Sequence, residues 1–90
     1  NEPALDLAII MALMSSYKDR PVDPKMLIFG EVGLSGEVRA VSQASQRVNE
    51  AAKLGFTACV LPSVCADKMK PVEGIRLIGV SNVREAIGIM

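Results

Sequence analysis

The residues best suited to chemistry lie around a repeated Gly-Glu-Val, in the stretch from Gly30 to Phe56, GEVGLSGEVRAVSQASQRVNEAAKLGF. Glu2, Asp6, Glu31 and Glu37 could act as paired acids, and Ser42 or Ser45 could act as a nucleophile if a lysine lay beside it. The nearest lysine along the chain, Lys53, is about two helical turns away. Carboxylates beside turns and serines at helix starts are more often solvated groups and caps, so these residues by themselves favour a structural role.

Composition excludes several classes of site. The 90 residues include no histidine, which removes the commonest general base and the usual metal ligand. Cys59 and Cys65 are too few for a zinc site and fit buried thiols in a reducing compartment better than a disulfide framework. Ten basic residues balance ten acidic ones, so net charge favours neither nucleic acid nor a membrane surface. The apolar run from Leu7 to Met14 is far shorter than a membrane span of about 20 residues, so we expect a cytoplasmic protein without membrane contact.

Hydrophobic periodicity and turn residues predict a single α/β domain over residues 1–90. The predicted elements are a buried helix over Ala4 to Tyr17, a strand over Met26 to Val32, a strand over Glu37 to Val41, a helix over Gln43 to Leu54, strands over Ala58 to Leu61 and Arg76 to Val80 separated by a polar connection over Ser63 to Gly74, and a last helix capped by Ser81. Glu31–Val32 and Glu37–Val38 would form the two arms of a β-hairpin. The alternation of strands and helices in the second half implies right-handed crossovers and a partly parallel sheet.

Several motifs in a fixed order resemble a known family. The segments EPALDLAIIMALMSSYKDRPVDP, FGEVGLSGEVRAVSQASQRVNEAAKLGF and VLPS resemble the C-terminal domain of the RadA (Sms) family of bacterial DNA repair proteins, which is itself similar to the proteolytic domain of Lon. The resemblance covers essentially the whole chain. It implies a Lon-like two-layer α/β sandwich, of a kind shared with a ribosomal protein domain, with a mixed sheet, a β-hairpin and covering helices. It also implies that the chain is a C-terminal fragment of a longer protein.

The comparison with Lon implies that the catalytic dyad is missing. Active Lon-type domains carry a nucleophilic serine in Asp-Gly-Pro-Ser-Ala-Gly and a catalytic lysine in Gly-Gly-Leu-Lys-Glu-Lys. Aligned without a gap, the first motif falls on residues 1–6, NEPALD, with Ala4 at the serine position. The second falls on residues 42–47, SQASQR, with Ser45 at the lysine position and Arg47 at that of the following lysine. A serine needs a neighbouring amine of lowered pKa, and arginine stays protonated, so the resemblance implies no catalytic residues here.

The same resemblance implies the partners. RadA-like proteins join an N-terminal zinc motif and a RecA-like ATPase to this end domain, and they act as hexameric motors of branch migration on DNA. ATP and zinc would therefore bind only in the upstream part. This domain would serve in ring assembly with copies of itself and in contact with branched or single-stranded DNA, with a RecA-type recombinase as a further candidate partner.

Three basic residues are the candidates for DNA contact. Arg39 follows the hairpin, and Arg47 and Lys53 lie on the outer face of the predicted helix over Gln43 to Leu54. The alternative is an ordinary solvated face on which Glu50 pairs with Arg47 and Lys53 at i,i+3 spacing.

Two other functions stay open at this point. One is a divergent peptidase that uses Cys59 or Ser45 as an unusual nucleophile. The other is a regulatory module that binds a small molecule in the vacated pocket near Ala4 and Ser45.

Overall fold

A computed structural model describes residues 2–90 of the chain. Its elements, in chain order, are a 3₁₀ turn over Pro3–Leu5, α1 over Asp6–Lys18, β1 over Met26–Ile28, β2 over Glu31–Val32, β3 over Val38–Arg39, α2 over Ala44–Lys53, β4 over Ala58–Pro62, α3 over Ser63–Ala66, β5 over Arg76–Val80 and α4 over Val83–Ile87. Within residues 2–90, no helix has the length and apolar character that crossing a membrane requires.

The centre of the fold is a parallel sheet with the strand order β1-β4-β5. Met26 lies opposite Ala58, and Ala58 lies opposite Arg76. All five residues of β4 are buried, because this strand has a neighbour on each side and helices over each face. The predicted parallel arrangement is therefore confirmed. The predicted single mixed sheet is not found, because β2 and β3 form an antiparallel pair of their own.

Two hydrophobic clusters cover the opposite faces of the parallel sheet. Residues of β4 alternate between them, because successive side chains of a strand point to opposite faces. The α2-side cluster contains Phe29, Val48, Ala51, Cys59, Leu61, Cys65 and Ile75, with Ala44. The α1-side cluster contains Leu7, Met11, Val38, Val60, Val80 and Ala86. Helices thus lie on both faces of the parallel sheet, which corrects the predicted two-layer arrangement.

Helix α1 is not buried all round, contrary to the prediction. Only Leu7 and Met11 are fully buried, because α1 contacts the rest of the molecule along one side. The opposite side of α1, continued by the last residue of the 3₁₀ turn, carries apolar residues at every fourth position, with exposed fractions of 45% at Leu5, 48% at Ile9, 65% at Leu13 and 84% at Tyr17. We call these four residues the α1 stripe.

The predicted strand over Met26 to Val32 is divided into β1 and β2. Gly30 lies between them, and its N–H donates to the Ala4 carbonyl at 2.8 Å while its carbonyl accepts the Leu7 N–H at 3.0 Å. These bonds turn the chain out of the parallel sheet and into the hairpin. The hairpin itself is confirmed, with Glu31 opposite Arg39 and Val32 opposite Val38, although its second arm begins one residue later than predicted.

The last third of the chain differs from the prediction at two helix starts. Helix α3 lies inside the segment predicted as a polar connection, and Gly79 permits its close approach, because a Cβ there would lie 3.1 Å from the Ser63 Cα. Helix α4 is capped by Asn82 rather than Ser81: the Asn82 side chain accepts the Glu85 N–H at 2.9 Å. The Ser81 N–H instead donates to Glu85 Oε1 at 2.6 Å.

Candidate functional site

Ala4, at the position of the Lon serine, lies in a cleft between the 3₁₀ turn, β1 and α2. The cleft has a volume of about 240 Å³. Most of its lining is apolar, and Arg47 and Glu50 are its charged members. Ala4 itself is buried, with an exposed fraction of 4%. We call this feature the β1 cleft. A methyl group at this position offers no nucleophile to anything that enters.

Arg47 is the cation that the fold places beside Ala4. Its guanidinium forms an ion pair with Glu2, and its Nε donates to the Ser42 carbonyl at 3.4 Å. Its Cζ also lies 5.8 Å from the centre of the Phe29 ring, a distance suited to a cation–π contact. Arginine remains protonated at any working pH, so this arrangement holds a charge and supplies no base.

Ser45, at the position of the Lon lysine, lines a different cavity of about 440 Å³. Residues two positions apart on a helix face different sides, so Ser45 and Arg47 turn away from each other. The Asn49 Nδ2 donates to the Ser45 carbonyl at 2.8 Å and contacts the Ser45 Oγ at 3.4 Å. The hypothesis of one vacated pocket near both Ala4 and Ser45 is therefore wrong in its geometry: the two positions line separate cavities.

Two lysines that sequence reasoning missed share the cavity of Ser45. Lys68 and Lys70 reach it from the connection between α3 and β5. Among residues 2–90, neither lysine forms a hydrogen bond with Ser45, whose side-chain neighbour is Asn49. In the sequence, these lysines are visible only as the two charges of the run KMK. This run does not predict which part of the fold the lysines contact.

Cys59 is the second nucleophile considered from the sequence. It lies in β4 with an exposed fraction of 0%, and burial raises the pKa of its thiol to about 12. A neutral thiol in an apolar surrounding is inert compared with a thiolate.

Arg39, the first DNA-contact candidate, is engaged by carboxylates of the hairpin. Its guanidinium lies 2.9 Å from Glu37 Oε2 and 3.7 Å from Glu31 Oε1. The hydrogen bond to Glu37 raises the pKa of Arg39, and the Glu37 backbone N–H together with Arg39 lowers the pKa of the Glu37 carboxyl. All three side chains are accessible to solvent, so these ion pairs are weak and easily exchanged.

The other two candidates lie toward opposite ends of α2, about 9 Å apart along its axis. The pairing of Glu50 with Arg47 and Lys53, which belonged to the alternative of an ordinary solvated face, is not observed within residues 2–90. Arg47 reaches across to Glu2 instead, and Glu50 accepts a hydrogen bond from Gln46 Nε2 at 3.4 Å. Lys53 is exposed and forms no ion pair within the part of the chain that the structure describes.

Comparison with known proteins identifies the family of this α/β domain. The chain belongs to the family described as subunit ChlI of Mg-chelatase, whose profile matches residues 1–64. It is also similar to proteins named DNA repair protein RadA: 51% identical over 87 residues in Bacillus subtilis (strain 168), 45% over 87 residues in Streptococcus pneumoniae, and 41% over 88 residues in Salmonella typhimurium. These alignments cover 97–98% of the chain, so the resemblance to RadA that the motifs indicated is confirmed. The chain spans about a fifth of the length of these curated relatives (19–21%).

Proposed function

We propose that the chain is a non-catalytic, Lon-like domain of a RadA-type DNA repair protein, and that it serves in homo-oligomeric ring assembly and in contact with DNA. The observation that carries the proposal is the identity of 41–51% to RadA proteins along nearly the whole chain. The parent protein would be a cytoplasmic ATPase active in recombination and branch migration. Its ATP and zinc sites would lie upstream of this domain, and a RecA-type recombinase is a candidate partner.

The absence of catalysis is supported by three positions. Ala4 lacks a nucleophilic atom. The Ser45 hydroxyl contacts the side-chain amide of Asn49 and no lysine. Cys59 is held as a neutral thiol, because burial raises its pKa. Each alternative nucleophile therefore lacks the base or the ionised form that it needs. These three positions support the proposal that the domain is non-catalytic.

Ring assembly is supported by the α1 stripe. A line of exposed apolar side chains along a helix and the turn before it is unusual on a monomer and suits burial against another subunit. In the intact protein, light scattering should give the mass of a closed ring, six copies by the family resemblance. Ile9→Glu combined with Leu13→Glu should lower that mass, whereas Leu34→Glu at the hairpin tip should not. A strictly monomeric parent protein would refute assembly, and an unchanged ring in the α1 double variant would reject the stripe as its interface.

DNA contact is proposed through Arg39, Arg47 and Lys53. Lys53 has the fewest competing contacts, while Arg39 and Arg47 must exchange a solvent-accessible carboxylate for a phosphate, a change that costs little. Several copies of such a weak surface in one ring would add their contacts. The interaction should be independent of sequence and sensitive to salt.

The test replaces Arg39, Arg47 and Lys53 by Glu in the intact protein and measures affinity for a branched duplex over a range of salt concentration. The slope of log affinity against log salt should fall in magnitude by about 0.9 for each phosphate that the variant no longer neutralises. The matched control reverses the same number of exposed charges elsewhere, at Lys18, Arg20 and Lys25. Equal affinity and equal slope in wild type and triple variant would reject these residues. A loss confined to a variant with Lys68 and Lys70 replaced would move the DNA-binding surface to the Ser45 cavity.

A further inference from the structure

The turn of the hairpin between β2 and β3 binds the carboxylate of one of its own residues. The Ser35 N–H donates to Glu37 Oε1 at 3.0 Å, and Nη2 and Nε of Arg39 donate to Glu37 Oε2 at 2.9 and 3.2 Å. The pKa of the Glu37 carboxyl is lowered, first by its own backbone N–H and then by Arg39, so the group is charged at neutral pH. The Ser35 N–H and the Arg39 guanidinium thus converge on one anion, and we call these donors the hairpin anion site.

The donors of the hairpin anion site are of the kind that proteins use to bind phosphate. Backbone N–H groups of tight turns accept anions, and a guanidinium pairs with the oxygens of carboxylates and of phosphates. The turn itself is closed by other groups: the Gly36 N–H donates to the Gly33 carbonyl at 3.0 Å, and the Gly33 N–H donates to the Glu37 carbonyl at 2.9 Å. A phosphate oxygen could therefore replace the carboxylate without opening the turn.

Gly33 provides the space that the Glu37 carboxylate occupies. A Cβ at position 33 would lie 2.1 Å from Glu37 Oε2 and 2.3 Å from Glu37 Cδ, which is too close for any real contact. The φ angle of Gly33 is not positive, so alanine can adopt its backbone conformation. Gly36 in the same turn differs, because its φ of +82° favours glycine and a Cβ there would meet nothing within 4 Å. Gly36 thus serves the backbone of the turn, whereas Gly33 serves the position of the carboxylate.

Carboxylates outnumber cations around Arg39 in the described part of the chain. Glu31 Oε1 lies 3.7 Å from Arg39 Nη1. On the helices packed nearby, Asp6 of α1 accepts an N–H of β2 at 3.2 Å, and Glu85 of α4 accepts the N–H that follows β5 at 2.6 Å. Arg84 of α4 lines a cavity of about 370 Å³ together with the hairpin turn. A phosphate that approaches Arg39 therefore meets an excess of negative charge, which falls if a carboxylate withdraws.

We propose that the Glu37 carboxylate holds the place of a DNA phosphate at the hairpin anion site and is displaced when DNA binds. A phosphate oxygen then accepts hydrogen bonds from the Ser35 N–H and from Arg39, while Glu37 turns into solvent. Because the carboxylate must leave first, each copy of the domain binds DNA more weakly than its arginine would alone, and firm binding requires several copies together. This inference rests on the proposed contact of Arg39 with DNA and adds the element that regulates it.

Glu37→Gln tests the competition in the intact protein. Glutamine keeps the shape of the side chain and loses its charge, so affinity for a fluorescein-labelled branched duplex should rise by about fivefold, the upper end for an exposed ion pair, since several copies act together. The salt dependence should also become steeper, because binding no longer sets a carboxylate free.

The matched control for Glu37→Gln is Asp19→Asn. It removes one negative charge at the far end of α1, about 20 Å from Asp6, at a left-handed position that asparagine tolerates. Its affinity should stay within about twofold of wild type. Weaker binding by Glu37→Gln, or a gain no larger than that of Asp19→Asn, would overturn the proposal.

Gly33→Ala tests the position of the carboxylate at constant charge. The added methyl group should push the Glu37 carboxylate off the Ser35 N–H, so affinity for the same duplex should rise, by less than with Glu37→Gln. The matched control is Gly88→Ala, where the backbone is helical with φ of −64° and a Cβ would lie 3.4 Å from its nearest neighbour. Urea midpoints and oligomer mass are measured on both variants to establish that they are folded. Affinities of the two alanine variants that agree with each other would refute the role of Gly33 and with it the displacement of Glu37.

Arg39→Gln, alone and combined with Glu37→Gln, separates this inference from the DNA contact on which it rests. Arg39→Gln should weaken binding and should abolish the gain from Glu37→Gln. If Arg39→Gln leaves both affinity and salt slope unchanged, the proposed contact of Arg39 with DNA fails. If Arg39→Gln weakens binding but Glu37→Gln gives no gain, the contact stands and the displacement fails. A gain from Glu37→Gln that persists without Arg39 would show that Glu37 acts only as a general negative charge, which also overturns the proposal.

Discussion

The buried thiol of Cys59 should resist alkylation in the folded protein by about three orders of magnitude. At pH 8 a thiol with the usual pKa of 9.0 is ionised in about one molecule in ten, whereas a pKa of about 12 leaves about one in ten thousand as thiolate. Since only the thiolate reacts, iodoacetamide should modify Cys59 about a thousandfold more slowly in native protein than in concentrated urea. Burial of the sulfur, with no exposed surface, can only slow the native reaction further.

The assay is alkylation followed by trypsin digestion and mass spectrometry. Cleavage after Lys53 and Lys68 leaves Cys59 and Cys65 on one peptide, so fragment ions must assign each site. The same sample in urea is the internal control for intrinsic reactivity. If native Cys59 reacts within tenfold of its rate in urea, the burial argument is wrong and a thiol nucleophile at this position returns as a serious alternative.

The raised pKa of Cys59 also fixes the sign of a pH effect. A folded-state pKa above the unfolded value means that the neutral thiol stabilises the fold fully below pH 9.0, and that this contribution is lost as pH rises toward about 12. Urea midpoints measured across this window should fall as pH increases. A rising midpoint would contradict the assignment.

Three further predictions concern the core, the last helix and the missing dyad. Leu61→Ala, at a fully buried position, should lower the free energy of unfolding by about 2–5 kcal/mol in urea titrations, whereas Leu34→Ala at the exposed hairpin tip should change it by less than about 0.5 kcal/mol. Asn82→Ala should cost about 1 kcal/mol through loss of the α4 cap, and Asn82→Asp should retain most of it; equal losses would show that the cap is not the cause. Neither the wild-type protein nor the double variant Ala4→Ser with Ser45→Lys should cleave unfolded casein at any pH, because the two positions line separate cavities; cleavage abolished by one substitution would refute this.

Much of the secondary structure could be predicted because its causes are local. Helix α2 begins and ends within one residue of its predicted bounds, since the spacing of Ala44, Val48 and Ala51 and the stop at Gly55 act over a few residues. Strand β5 agrees with its predicted bounds for the same reason. The hairpin agrees in its pairing because its turn brings the two arms together directly.

The predictions that were wrong concern features that depend on a distant segment of the chain. An apolar run cannot say how many of its sides will be covered, so the sequence predicts a buried α1 although the stripe from Leu5 to Tyr17 is exposed. The end of β1 before Gly30 depends on hydrogen bonds between Gly30 and the segment near Ala4. The hydrophobic pattern from Met26 to Val32 does not predict these bonds. Ser81 and Asn82 are both good capping residues, and only the backbone angles at the end of β5 select Asn82.

For the candidate site, residue identity alone determines that Ala4 and Ser45 stand where a Lon-type dyad would need serine and lysine. Only the tertiary structure decides what surrounds them: Arg47 beside Ala4 and paired with Glu2, and Ser45 in another cavity with Lys68 and Lys70. The reason is the separation along the chain of the residues that determine each feature. The chemical identity of a residue is a property of one position, and helical periodicity depends on a few neighbouring residues. Ion pairs and clefts depend on which distant segments meet when the chain folds.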